Sequence, residues 1–276
     1  MSHELTSSID TAQVVLYCFF IFFAGLVVWL RREDRREGYP LETDALAVEG
    51  PQNALRIPAA KEFLLPHDEG IRRAPDFVRD RRPILAERVS QAPGYPLEPT
   101  GEPLLSGVGP ASFAARSEHP ELSQEDGTPV IVPMRVATGF TVDAGPDPRG
   151  WRVLGADGEV AGVISDIWVD RADLMVRYLE IELPAPTAPA ESESEAASES
   201  GSAAPGSRLR LIPLPMLALD GKAKQVRVRA LRADQFVHVP TIGATDRITL
   251  REEDQVAAFY TGGWFYAEPR RREPVL

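Results

Sequence analysis

The run from Val14 to Leu30, VVLYCFFIFFAGLVVWL, holds no charge, no proline and one glycine. Extended back to Ala12 it reaches about 28 Å as a helix, close to the hydrocarbon thickness of a bilayer. A helix suits that span because it satisfies its own backbone hydrogen bonds where lipid offers none. Arg31, Arg32, Arg35 and Arg36 follow at once, whereas residues 1–13 contain no Lys or Arg. The basic side is expected to be cytoplasmic, with Tyr17 and Trp29 near the two interfaces. A cleaved signal peptide would begin basic and end on small residues; this segment carries Glu4 and Asp10 and ends in WLRRED. A core helix would keep a polar face, and this run has none. The reading is a retained single-span anchor.

About 245 residues lie beyond the span, enough for one sizeable domain with extended segments. A formal net charge of −11 argues against nucleic acid as a partner. The lone cysteine, Cys18, lies in the apolar run, so there is neither a disulfide framework nor a Cys/His zinc cluster.

Between Arg31 and about Ser106, prolines recur within charged stretches: REGYPLE at 36–42, RIPAAKEFLLPH at 56–67, RAPDFVRDRRP at 73–83 and GYPLEPTGEP at 94–103. Each proline blocks a helix and biases its predecessor toward extended backbone. A solvated linker would not need Phe63, Leu64, Leu65, Phe77, Ile84 and Leu85, so an extended arm lying on a partner is expected.

From about Val130 the pattern turns strand-like. WRVLGADGEVAGVISDIWVD at 151–170 reads as two strands joined by an Asp157-Gly158 turn. Further strands are expected at 174–183, 208–214 and 225–231, each with one apolar and one charged face, as in a small antiparallel barrel. Register is expected to set Glu180 and Glu182 across from Arg208 and Arg210. A helix at about 252–260 closes the domain. The segment 184–206, PAPTAPAESESEAASESGSAAPG, cannot bury a core and reads as a disordered acidic insertion.

No phosphate-binding glycine loop, Ser-His-Asp order or metal-ligand spacing is present among motifs that four histidines could support. Carboxylates gather near the sheet instead: Glu118, Glu121, Glu125 and Asp126 before it, and Asp166, Asp170 and Asp173 on or just after its second strand. A solvated acidic face and a proton relay both fit, and spacing alone favours the first.

In order along the chain come IFFAGLVVWL, REGYPLE, FLLPH, PTGEP, GVGPASFAAR, PEL, VPM, AGVISDIWVD, YLEIEL, VPTI, LREED and GGWFYAEP. This series resembles the H subunit of the purple-bacterial photosynthetic reaction centre, a single span followed by a cytoplasmic PRC-barrel domain. The resemblance implies a periplasmic tail at 1–12, the transmembrane helix at 13–31, an extended arm on partner subunits at 32–133, a PRC-barrel-like domain at 134–262 and a C-terminal tail at 263–276. It implies a non-catalytic subunit of the inner, intracytoplasmic photosynthetic membrane that caps the L and M core subunits, among an antenna ring and membrane lipids. Such a subunit shields the quinones and carries protons to the secondary quinone. Bacteriochlorophyll, bacteriopheophytin, quinones and non-haem iron belong to the other subunits, and none is bound by this chain.

The family relay uses the aspartate that ends DIWVD and an acid three residues on, here Asp170 and Asp173; the second is a glutamate in better-known members. Family members also carry a histidine pair soon after PEL, where this chain has SQEDGTPV. Glu125 and Asp126 are the substitutes, Glu121 is a further candidate for proton transfer, and the 184–206 insertion has no family counterpart. The alternative is a membrane-tethered PRC-barrel adaptor or assembly factor, which would lack the GYPLE and GVGPASFAAR arm.

Overall fold

Asp10 begins α1 (Thr11–Glu33) by accepting a hydrogen bond from Ala12 N–H. The computed structural model describes residues 10–37, 57–76, 78, 83–90, 95–143, 145–185 and 208–271. The tail before Asp10, GYPLE at 38–42, Phe77, nearly all of the 184–206 insertion and residues 272–276 lie outside them. The chain divides into two units, residues 1–82 and 83–276.

In the first unit α1 buries no residue against protein, as a helix clothed by lipid would require. Its apolar stretch includes a stacked pair, Phe19 and Phe23, with ring centroids 6.0 Å apart. A short 3-10 turn, Asp34–Arg36, ends it. The arm that follows is folded locally into a hairpin of β1 (Lys61–Leu64) and β2 (Ile71–Ala74). Arg36 joins helix to hairpin: its guanidinium bonds Glu33 in two places and donates to the carbonyls of Ala59 and Ala74. Lys61 pairs with the same Glu33 oxygen as the Arg36 Nε, at 3.0 Å.

The second unit starts with another hairpin, β3 (Ala86–Arg88) and β4 (Leu97–Pro99). A seven-stranded sheet follows: β5 (Ile131–Pro133), β6 (Arg152–Leu154), β7 (Val160–Asp170), β8 (Met175–Glu182), β9 (Leu209–Pro213), β10 (Leu217–Asp220) and β11 (Gln225–Val228). Its order is β10-β11-β6-β7-β8-β9, with β5 also on β7. The turn at Asp157-Gly158 is as expected: Gly158 N–H bonds the Gly155 carbonyl, and Gly158 takes φ +80°, which glycine adopts without strain. Arm residues beyond 83 belong with this unit, because β5 is a strand of the sheet and Asp254 accepts the Ala114 N–H at 2.6 Å.

Three expectations need correction. The sheet is not a closed barrel: its path ends at β9 and β10, and β11 pairs β6 in parallel. Helix α2 (Leu250–Tyr266) packs on β9, and Val256, Phe259 and Tyr260 complete the core in place of a closing strand pair. The register is one residue off. Glu180 opposes Leu211 and Glu182 opposes Leu209, while Arg210 opposes Ile181 and so lies on the other face. Arg208 still reaches Glu182. β9 is buried or half-buried throughout, so its alternation did not reveal which residues face which way. Finally, α2 extends past Gly262 and Gly263, which resemble a stop. A Cβ at Gly262 would lie 2.7 Å from the Ala111 Cβ, and one at Gly263 2.5 Å from the Ala230 carbonyl oxygen. These glycines are there for close approach, not for termination.

Candidate functional site

β7 is buried on both faces over its last five residues. Its charged face therefore does not meet solvent, and two polar networks occupy it or its end.

The first surrounds Glu180, 2% exposed, and Asp166, 5% exposed, which are direct cross-strand partners. Two buried carboxylates side by side would repel, and Arg135, just after β5, resolves this. Its Nη1 lies 3.0 Å from Asp166 Oδ2 and 3.0 Å from Glu180 Oε1. Nη2 donates to Glu180 Oε2 at 3.2 Å and to the Thr245 carbonyl. Trp168 Nε1 and Ser165 Oγ donate to Glu180 at 3.0 and 2.7 Å. Asp166 accepts the Ile167 N–H at 2.8 Å and the Arg135 N–H at 3.2 Å. With every carboxylate oxygen bonded, the cluster works as a fastener between β5, β7 and β8.

The second lies where β7 ends. Asp170, 5% exposed, turns its Oδ1 onto the N–H groups of Ala172 and Asp173, both at 2.9 Å, and so shapes the loop into β8. Asp173 is tied to Asp170 through its backbone, and its side chain is exposed. Arg177 stands between two acids: its Nε is 4.0 Å from Asp170 Oδ2 and its Nη2 3.8 Å from Glu253 Oε2. Tyr178 Oη donates to the same Glu253 oxygen at 3.1 Å.

Glu253 reaches this point because Thr249 and Glu252 form a capping box that starts α2 there, each side chain bonding the other's backbone N–H. Burial pushes the Glu253 carboxyl above its ordinary range. The Tyr178 hydrogen bond and Arg177 pull it down, the Glu121 charge pushes it up again, and Arg116 opposes. Burial and the Glu253 charge also raise the Tyr178 phenol.

Of the other expected residues, Glu121 is exposed and acts on Glu253 through its field. Glu125 is exposed, its backbone N–H bonded to Ser123 Oγ. Asp126 accepts from the Thr128 hydroxyl at 2.8 Å and N–H at 3.1 Å, with Arg171 at 3.1 Å. Those hydrogen bonds hold its carboxyl well below the usual range. Arg171 thereby ties the 123–128 loop to the loop that holds Asp173. The structure thus gathers Asp170, Arg177, Tyr178, Glu253 and the field of Glu121, and it keeps Asp126 in a separate surface pair. Sequence reasoning missed Arg135 and Glu253. The local signal beside Glu253 was the Thr-x-x-Glu capping box from Thr249 to Glu252, which ends one residue before it. Among the described residues no group of three His, Cys, Asp or Glu could hold a metal ion.

Comparison with protein families gives two matches. Residues 3–136 match the photosynthetic reaction centre H-chain N-terminal region, and residues 140–235 match the PRC-barrel domain. The first covers the arm that a bare barrel adaptor would lack. α2, with Glu253, falls outside both.

Proposed function

The chain belongs to the photosynthetic reaction-centre H-chain family, and from that premise we propose that it caps the cytoplasmic face of the L and M core subunits, shields their quinones and carries protons to the secondary quinone. As an H subunit it associates with the reaction-centre core. The apolar α1 suits a single-pass anchor. The basic residues after it favour a periplasmic N-terminus and a cytoplasmic bulk, in an intracytoplasmic photosynthetic membrane with an antenna ring and lipids around it. In this reading the subunit has no catalytic role of its own, and pigments, quinones and iron are held by the other subunits.

The observation that carries the proton reading is the second network: a buried carboxylate, Asp170, at the mouth of an exposed acidic loop, sharing Arg177 with a second shielded carboxylate. Quinone reduction consumes two protons, and a route through a protein cap needs groups that take up and release protons. Asp173 gathers protons at the surface and Asp170 lies inward of it. Glu121, Glu125 and Asp126 add negative potential at the mouth, which raises the local proton concentration.

The test is flash-induced quinone turnover and proton uptake in reaction centres carrying Asp173→Asn. We expect primary charge separation to be unchanged and the second, proton-coupled electron transfer to slow. Glu125→Gln with Asp126→Asn should slow it less, since water and neighbouring acids can stand in for surface groups. Wild-type rates in Asp173→Asn would return the acidic loop to being solvated surface.

A further inference from the structure

Every acceptor of the Arg135 cluster is bonded at hydrogen-bonding distance, and the Asp170–Arg177–Glu253 group is built differently. Its guanidinium serves two acids at 3.8 and 4.0 Å, longer than a hydrogen bond on both sides. Asp170 has two backbone N–H donors on one oxygen. Glu253, its side chain 12% exposed, has the Tyr178 phenol and the distant Arg177. The other groups facing it are Glu121 and Arg116, from the segment ahead of β5. On its own helix Glu252 is engaged with Thr249 and Gly243, and Asp254 with Ala114. With Asp170, Glu121 and Glu253 all ionised, Arg177 and Arg116 leave the group one negative charge in excess.

We propose that Glu253 is the residue that holds a proton behind the Asp170–Asp173 loop, with Arg177 and Tyr178 as its positioning residues. This rests on the proton-delivery reading above and assigns a further member to that route. Among the acids here, Glu253 combines shielding from water with the weakest set of donors. Burial disfavours its charged form, and proton uptake there removes the excess negative charge at the lowest cost. The step is an O–H bond formed on the carboxylate as a hydronium ion at the loop gives up its proton and leaves water, then broken as that proton passes inward to the reduced secondary quinone; Glu253 itself exchanges no electron. Arg177 couples the two carboxylates, because one guanidinium faces both.

The experiment uses intact reaction centres carrying Glu253→Gln, Glu253→Asp, Tyr178→Phe or Asp170→Asn. The readouts are the pH profile of the second electron transfer and flash-induced proton uptake. Glu253→Gln is expected to slow the proton-coupled step about tenfold, less than the ~10²-fold of a directly acting acid–base group because water offers a bypass. Glu253→Asp should restore part of the rate. Tyr178→Phe removes a donor to the ionised form, so the profile should move to higher pH. Should Glu253→Gln weaken assembly, Tyr178→Phe, which leaves the ring in place, decides alone: an unmoved profile overturns the assignment. Slowing in Asp170→Asn with wild-type behaviour in Glu253→Gln also overturns it and leaves the route standing. Wild-type behaviour in both overturns the proton-delivery reading itself.

Discussion

Two charge clusters share the β7–β8 ribbon, and they differ in how completely they are satisfied. Around Arg135, both carboxylates are held by guanidinium, N–H or hydroxyl donors at 2.7–3.2 Å. Around Arg177, the ion pairs are 3.8 and 4.0 Å long, and one acid is pushed toward neutrality by burial. A cluster of the first kind has a donor on every carboxylate oxygen, so its ions are locked in place. A cluster of the second kind can change its charge at small structural cost. One lies along the β7–β8 pair and the other at its end against α2, and they are separated further by completeness of hydrogen bonding, which marks the first as a fastener.

The sharpest way to break the comparison is to open the satisfied cluster. Glu180→Ala leaves Arg135 and Trp168 Nε1 without their main acceptor and should cost about 3–5 kcal/mol, as for a broken buried ion pair. The measure is the urea midpoint of the full chain in detergent. A loss as small as that of a surface substitution would mean that water replaces the carboxylate and the cluster is no fastener. Next in size, Gly263→Ala forces a Cβ to 2.5 Å from the Ala230 carbonyl and should cost roughly 1–3 kcal/mol by overpacking. The urea midpoint again decides, and an unchanged value would show that α2 can shift off the sheet.

Asp170→Asn should be milder, within about 1 kcal/mol, because an amide oxygen still accepts the two loop N–H groups. Asp170→Ala should cost more than Asp170→Asn by about that amount. Equal losses would mean that charge, not acceptance, shapes the loop.

The smallest effect is a slope with pH. Glu253 has a folded-state pKa raised above its ordinary 4.5. Between those two values the folded state binds more protons than the unfolded one, so stability falls as pH rises through that window. Its contribution is fully present below about pH 4.5 and is lost above the folded pKa. Asp126, with its pKa lowered, acts in the opposite sense: its contribution is present above its ordinary value and lost on acidification. Urea midpoints taken from pH 4 to 8 should fall less steeply in Glu253→Gln than in the wild type, and parallel curves would contradict the burial argument.

The membrane span, the Asp157-Gly158 turn and the strands near 151–183 were legible because each depends on local pattern: an uninterrupted apolar run, a turn dipeptide, alternation of side chains. The register of β8 on β9 was not, since Leu209, Leu211 and Ile212 are apolar toward both faces of a strand with little exposure. Asp166 and Glu180 read as a solvated face because alternation reports polarity, not what covers it. Their cover is Arg135, 31 residues before Asp166 in the chain. The helix expected at about 252–260 runs on to Tyr266 through Gly262 and Gly263, and the methyl and carbonyl that lie against those glycines come from Ala111 and Ala230, distant in the chain. Glu253 could not be found from spacing, since its partners Arg177 and Tyr178 lie about 75 residues upstream.

Arg36 has a mechanical consequence. Among the described residues α1 packs against no other element along its apolar length, so within the chain only its C-terminal end can fix its bearing about its own axis. By gripping Glu33 and the carbonyls of Ala59 and Ala74 together, Arg36 couples that rotation to the β1–β2 hairpin. α1 cannot turn without sweeping the hairpin around with it, so whatever holds the hairpin also sets the compass heading of the Phe19–Phe23 pair within the bilayer.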